Sequence, residues 1–335
     1  MAGIKRLRKL QLGKETVAGT PVAATTIWRG TGTLEDKREP LFPDENIGTI
    51  APLTRAVLPF TLGQLDLDEV PATYQQLPYI LAMGVDGVVS GTKDGSGSDY
   101  IYTYTFPTTT LKTPKTFTIE GGDNEQVEQM AYTFAESFKI SGKPKEPWMM
   151  SATLIGNSVD VLPAGFTVSV PVPDVEEILF QKTKLYIDTV AGTIGTTQIP
   201  CTLYEFSLDV TTGFNPMFAA NGDLGFCKVN GGTPEIKLHL VFEHNSTSIA
   251  EKAAWRALTP RQIRIKGEGS SITVGGTKYQ KHTCVIDLAG QWEKIDKLGE
   301  KDGNDILEGD FRVAYDNTAA KYAIIEIANK LTSLT

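Results

Sequence analysis

The sequence predicts a mainly β protein made of two tandem copies of one β-rich unit, each carrying a short α-helix. Three observations lead there. Apolar and polar residues alternate with a period of two through most of the chain, only two segments switch to helical spacing, and one order of parts occurs twice. At 335 residues the chain exceeds the usual span of one domain and has room for two cores.

The alternation is clearest where Tyr204, Phe206, Leu208 and Val210 interleave with Glu205, Ser207 and Asp209. A strand sends successive side chains to opposite faces, so this run has one apolar and one polar face. Comparable runs cover Leu65 to Leu67, Phe117 to Ile119, Met130 to Ile140, Leu238 to Phe242, Ile263 to Ile265, Val285 to Leu288 and Phe311 to Tyr315, most of them bounded by Gly, Pro, Asn or Asp. The exceptions are helical. Thr73 to Met83 places Tyr74, Leu77, Ile80 and Leu81 on one helical face, and Pro78 inside it implies either a kink or a late start. Ser246 to Leu258 opens on Ser and Thr caps.

In the first half, a strand around Ile27 to Leu34 leads through a long polar loop to a strand Phe60 to Glu69. A helix, a strand Thr116 to Glu120 and a long strand Tyr132 to Ile140 follow. The second half repeats this with Leu203 to Val210, a long loop, Ile236 to Glu243, a helix, Gln262 to Lys266 and Thr283 to Ile295. Each half then closes with a strand pair, Trp148 to Ile155 with Leu179 to Asp188, and Phe311 to Tyr315 with Tyr322 to Ala328. The loops share wording too, since Pro40-Leu41-Phe42 precedes Asn46 and Gly48 while Pro216-Met217-Phe218 precedes Asn221 and Gly222. Residues 1–14 are expected to be a basic N-terminal arm, 15–188 the first unit and 189–335 the second, joined at the turn-rich stretch Thr189 to Gln198. A hairpin at about Val88 to Pro107, with a flexible tip at Asp94 to Ser98, has no counterpart in the second half.

Composition excludes several function classes. A net charge of −8 provides no overall basic field for gripping a phosphate backbone. No apolar run approaches the length that crosses a bilayer, and no apolar core follows the basic residues Lys5 to Lys9 to form a secretory signal, so no membrane partner is expected. Cys201, Cys227 and Cys284 are odd in number and far apart, which suits small buried hydrophobes better than a disulfide framework. The spacing of His239 and His244 matches no zinc-protease pattern, and no glycine-rich turn has the residues of a phosphate cradle or a nucleophile elbow. No catalytic, cofactor or metal residues are therefore assigned, and no enzymatic activity is expected.

Five segments carry a family resemblance. They are Gly13-Lys14-Glu15-Thr16-Val17-Ala18-Gly19-Thr20-Pro21-Val22-Ala23-Ala24, Ile119-Glu120-Gly121-Gly122-Asp123-Asn124, Ser141-Gly142 leading to Trp148-Met149-Met150-Ser151-Ala152, Leu203 to Thr212 with the loop to Asn221, and Phe242-Glu243-His244 leading into Ala250-Glu251-Lys252-Ala253-Ala254-Trp255-Arg256. In this order they resemble the major tail tube proteins of long-tailed, non-contractile bacteriophages, over most of the chain. The resemblance implies a β-sandwich or split barrel whose strands join those of neighbours around a central lumen, with rings stacking into a tube. The usual subunit has one such unit and forms hexamers, so a chain with two implies a trimeric, pseudo-hexameric ring.

It further implies self-assembly, contacts with a tape-measure protein and tail-end proteins, passage of DNA through the lumen without specific binding, no cofactor, and a place in the virion tail after assembly in the host cytoplasm. Asp66, Asp68, Glu205 and Asp209, on polar strand faces, are candidates to line the lumen, whose wall the acidic balance of the chain is expected to make negative. Lys5, Arg6, Arg8, Lys9, Phe42 and Phe218 are candidates for contacts between rings, and the loops Glu35 to Leu53 and Thr212 to Thr233 for the arms that make them. Two other readings stay open: another ring protein of the virion, and a carbohydrate-binding or glycoside-cleaving β-sandwich. A sugar-binding protein would remain small and be stabilised by its ligand.

Overall fold

A computed structural model describes residues 2–51, 54–167 and 170–335. The chain is mainly β, as the period-two alternation predicts. In chain order the first half contains β1 (Lys9–Lys14), β2 (Thr26–Trp28), β3 (Gly32–Asp36), β4 (Gly63–Pro71), α1 (Leu77–Gly84), β5 (Thr92–Lys93), β6 (Tyr100–Thr105), β7 (Phe117–Gly122), β8 (Val127–Gly142), β9 (Met149–Gly156) and β10 (Val159–Val161). The second half contains β11 (Thr183–Thr189), β12 (Leu203–Thr211), β13 (Phe214–Met217), β14 (Lys228–Gly231), β15 (Glu235–Glu243), α2 (Ser246–Arg256), β16 (Arg261–Ser271), β17 (Lys281–Ile295), β18 (Gly299–Lys301), β19 (Asn304–Val313) and β20 (Ala323–Asn329).

The two halves share one topology. In the first, antiparallel pairing runs β1 to β7 to β8 to β9 to β4 to β3, with β10 also on β8. In the second it runs β11 to β16 to β17 to β19 to β15 to β12, with β20 also on β17. The long strands β8 and β17 each serve two layers, bending where a bulge resets the register. Even the bulge recurs: the ladder slips between Ala135 and Ser137 opposite β9, and between Trp292 and Lys294 opposite β19.

Burial follows the alternation. Leu65 and Leu67 of β4 are buried and Asp66 and Asp68 exposed, while in β12 Phe206, Leu208 and Val210 turn inward. Every residue of α1 is buried between the layers. The α1 helix begins at Leu77, so Pro78 falls in its first turn, where a missing N–H does no harm. The cap of α2 is Asn245 rather than Ser246; its side chain accepts from Thr247 and Ser248 N–H, and the Ser248 hydroxyl accepts the Asn245 N–H in return.

Several expectations from sequence need correction. Lys9–Lys14 is a strand with Leu10 and Leu12 in the core, so the basic arm ends at Arg8 and not at residue 14. The segment Leu179 to Asp188 does not close the first half; β11 pairs with β16 and opens the second, moving the boundary ahead of residue 183. Ile27 to Leu34 divides into β2 and β3. Cys201 is exposed and Cys227 half-buried, leaving Cys284 as the one buried thiol among the three. The loop from Glu35 extends to Leu53, which lies outside the described residues, as does Pro52.

The tip of the Val88 to Pro107 hairpin is docked rather than free. Asp94 is buried and accepts backbone N–H groups from Thr277, Lys278 and Tyr279 at 2.7–3.0 Å. β6 of the same hairpin pairs with β20. The first half thus adds a strand to the second half's sheet.

Charge as well as pairing fixes β11 on β16. Lys184 Nζ lies 2.8 Å from Glu268 Oε2, and Lys266 Nζ 2.7 Å from Oε1. Burial pushes the Glu268 carboxyl up, but hydrogen bonds from Lys184 and Lys266 outweigh it and hold the group down at about 2, while its bond to Glu268 raises Lys184. A folded value below the unfolded one, about 4.3, gives stability that is present above about pH 5 and is lost as pH falls towards 2. Glu268→Gln is therefore expected to lower stability by roughly 1.5–3 kcal/mol at pH 7. In urea melts at a series of pH values, the gap to the parent protein should narrow steadily below about pH 5.

Candidate assembly interface

A strand ladder joins a sheet of each half into one. β12 of the second half pairs antiparallel with the C-terminal part of β8, from Phe206↔Gly142 to Thr211↔Ser137. The result is one continuous sheet ordered β3, β4, β9, β8, β12, β15, β19, β17. Its inner face is sealed at the junction by aromatic packing: Trp148 meets Phe206 edge-on at 4.9 Å, and Phe180 stacks on Phe206 at 6.4 Å. Gly142 lies against this cluster, where a Cβ would stand 2.4 Å from the Phe206 ring.

The arm that follows β12 extends the junction. Thr212 donates its backbone N–H to Glu136 O at 2.9 Å and its hydroxyl to Ala135 O at 2.9 Å. Glu136 is the bulged residue of β8. The arm folds into the hairpin β13–β14 and buries Phe214 and Phe226 with Phe134 and Ile155 of the first half, with Leu62, Tyr132 and Val229 packed around them. Phe218 stands edge-on to Phe60 at 5.7 Å. Phe218, a candidate for contacts between rings, thus packs within the chain and remains 46% exposed.

The shared topology makes β3 the counterpart of β12 and β17 the counterpart of β8, and both of these edges are unpaired. Among the described residues β3 pairs with β4 alone, and Gln291 to Ile295 of β17 with β19 alone. The α2 segment lies beside that part of β17: Trp255 Nε1 donates to Glu293 O and Gln291 Nε2 to Leu258 O, both at 3.3 Å, and Trp292 Nε1 to Glu251 Oε2 at 2.8 Å. Both edges carry opposite charges two residues apart, Glu35 with Lys37 and Lys294 with Asp296, each pair closed on itself at 2.7 Å. At the internal junction opposite charges meet across the ladder, Lys139 with Asp209 at 3.5 Å, whereas by register the counterparts of this pair at the open edges are Asp296 and Glu35, both acids.

The other face of the continuous sheet is largely polar, with Val241 and, beneath the arm, Ile155 as buried apolar residues. All four acids singled out from sequence lie on it. Asp66 and Asp209, one from each half, line a shared depression of about 410 Å³ with Lys139 and Thr153. Asp66 accepts from Thr153 Oγ1 at 2.9 Å, and Glu205 is paired with Lys301. His239 and Asp310 continue the face, 2.7 Å apart. Bases are interleaved with the acids, so the face is mixed in sign rather than uniformly acidic.

Asp68 lies at the β3 end, where it borders a cleft lined by Lys5, Arg6, Arg8 and Lys9. The basic segment is thus held beside its own chain's β3, with Lys9 Nζ 4.3 Å from the Phe166 ring centre. Phe42 is 64% exposed, like Leu41 and Ile47 on the same loop. Sequence reading identified the polar faces but not the two open edges, because an unpaired edge has no residue signature of its own. The repeated Pro-x-Phe wording of the two loops was the available clue.

Among the described residues no three His, Cys, Asp or Glu side chains come together as a metal site, and no helix is long and apolar enough to cross a membrane. No protein-family model matches the chain, and no curated protein matches it as a relative.

Proposed function

We propose that the chain is a structural subunit of a bacteriophage tail tube, in which three copies close a ring of six β units around a conduit for DNA. The observation that carries this reading is the pair of unfilled edges. One half of the chain already docks on the other through β12 and β8, and the same two surfaces, β3 and the end of β17, are left open at the two ends of the continuous sheet. A heterologous contact of this kind repeats head to tail until it closes, and closure removes exposed strand edges that would otherwise recruit strands indiscriminately.

In such a ring the helices and second layers lie outside, since they cover the apolar face, and the polar face turns to the lumen. Asp66, Asp68, Glu205 and Asp209 then line the channel, with interleaved Lys139 and Lys301 tempering its charge. A wall of mixed sign on an acidic subunit suits DNA that must pass without being held. Tape-measure and tail-end proteins are the further partners of this reading, the virion tail its location, and no catalytic step or cofactor belongs to it.

Negative-stain electron microscopy of the purified protein over a concentration series tests the proposal. Rings with a central hole and three-fold modulation are the expected result. Compact monomers at every concentration would overturn it, and stabilisation of such monomers by a sugar would favour the carbohydrate-binding alternative.

A further inference from the structure

This inference rests on the subunit reading and names the contact that accompanies edge pairing. The second half carries an unfilled cleft of about 650 Å³, lined in part by Thr233, Pro234, Glu235, Glu293, Arg312 and Tyr315. Its position is defined by the repeat. Leu65 and Leu238 occupy equal places, opposite Leu154 and Phe311, so the segment Phe60 to Leu62 corresponds to Thr233 to Glu235, and Ile155 to Arg312. Phe60, Leu62 and Ile155 form the seat on which the second half's own arm packs Phe218 and Phe226. The cleft is the same seat without an occupant.

The first half carries the matching arm, between β3 and β4. An antiparallel bridge joins Leu41 to Val57, as Met217 joins Lys228 in the β13–β14 hairpin, so Phe42 corresponds to Phe218 and Arg55 to Phe226. Leu41, Phe42 and Val57 are all exposed, an apolar tip with no cover among the described residues. We infer that this arm docks in the Thr233–Arg312 cleft of a second copy of the same chain.

Charge complementarity supports the pairing. At the internal junction, Leu62 packs against the apolar cluster that contains Phe226. At the corresponding positions the arm has Arg55 and the cleft has Glu235. Two apolar positions of that cluster are thus matched by opposite charges, one on the arm and one in the cleft. In the single chain Arg55 is paired with Glu45, and Glu235 with Lys237 at 2.9 Å. Both are surface pairs of small worth that an interface can exchange.

A charge swap tests the inference. Arg55 and Glu235 are exposed, so R55E and E235R are expected to fold like the parent protein. Sedimentation velocity over a concentration series should show each single variant assembling only at concentrations ~10-fold or more above the parent, and the double variant returning to within ~3-fold of it. Single variants that assemble at the parent's concentration, or a double variant no better than the singles, would overturn the arm-and-cleft contact while leaving the subunit reading intact. A parent protein that never associates would overturn both.

Discussion

Replacing Trp148 with alanine is expected to lower the stability of the chain by roughly 3–5 kcal/mol, the usual range for removing a buried aromatic ring. The site is unusually connected. Trp148 belongs to the first half and is fully buried, yet its ring packs edge-on against Phe206 of β12 and its Nε1 donates to Thr183 Oγ1 of β11 at 2.8 Å. Its backbone N–H also donates to Ile178 O at 2.6 Å, and its carbonyl accepts from Ala72 N–H at 2.7 Å. The substitution leaves a cavity where β12 and the Ile178–Thr183 segment meet the first half, and removes the indole donor from Thr183. Urea unfolding reads the effect directly. Trp148→Phe should recover part of the loss, since it restores ring volume but not the hydrogen bond. A Trp148→Ala variant within 1 kcal/mol of the parent, far below what a buried ring removal costs, would mean that the junction is not held by this cluster.

The second large effect concerns assembly rather than folding. Asp36→Pro is expected to abolish rings at concentrations where the parent forms them, and to change the stability of the single chain by no more than about 1 kcal/mol. The reason lies in which way the backbone of β3 points. Thr31 O accepts from Asp68 N–H and Lys37 N–H donates to Leu62 O, so these residues face β4. Because successive residues of a strand face alternate neighbours, Gly32, Leu34 and Asp36 present their groups to the open edge. Proline at Asp36 removes an outward N–H and leaves the ladder to β4 unbroken, a substitution that edge strands tolerate. It also removes the Asp36–Arg38 pair, a surface contact of little worth. Asp36→Asn, which keeps the N–H, should assemble like the parent in the same electron micrographs. Rings from the proline variant would show that copies do not join through β3.

The residues that shape the candidate lumen were legible because the signal for a strand face is local. The alternation of Leu65 with Asp66, or of Leu208 with Asp209, states which side chains share a face without reference to any other part of the chain. The repeat was legible for a similar reason, as an order of local elements. Even the late start of α1 follows from Pro78 alone.

Misplaced elements fail on the opposite ground. Whether Thr183–Thr189 closes the first half or opens the second depends on pairing with β16, more than 70 residues away in the sequence, and backbone hydrogen bonds carry no residue label. The tip Asp94 to Ser98 has the composition of a free turn, yet it is fixed because three N–H groups of a distant loop converge on one carboxylate.

By itself, then, the sequence determined that this protein is mainly β, that its strands have one wet and one dry face, and that its parts recur in two halves. Only the tertiary structure decided that the halves share one sheet, that β3 and the end of β17 remain open, and that an arm and a cleft are left without partners. Faces are set by side chains, which the sequence spells out one by one. Edges are set by main-chain donors and acceptors, nearly identical at every residue, and only folding distributes them between partners.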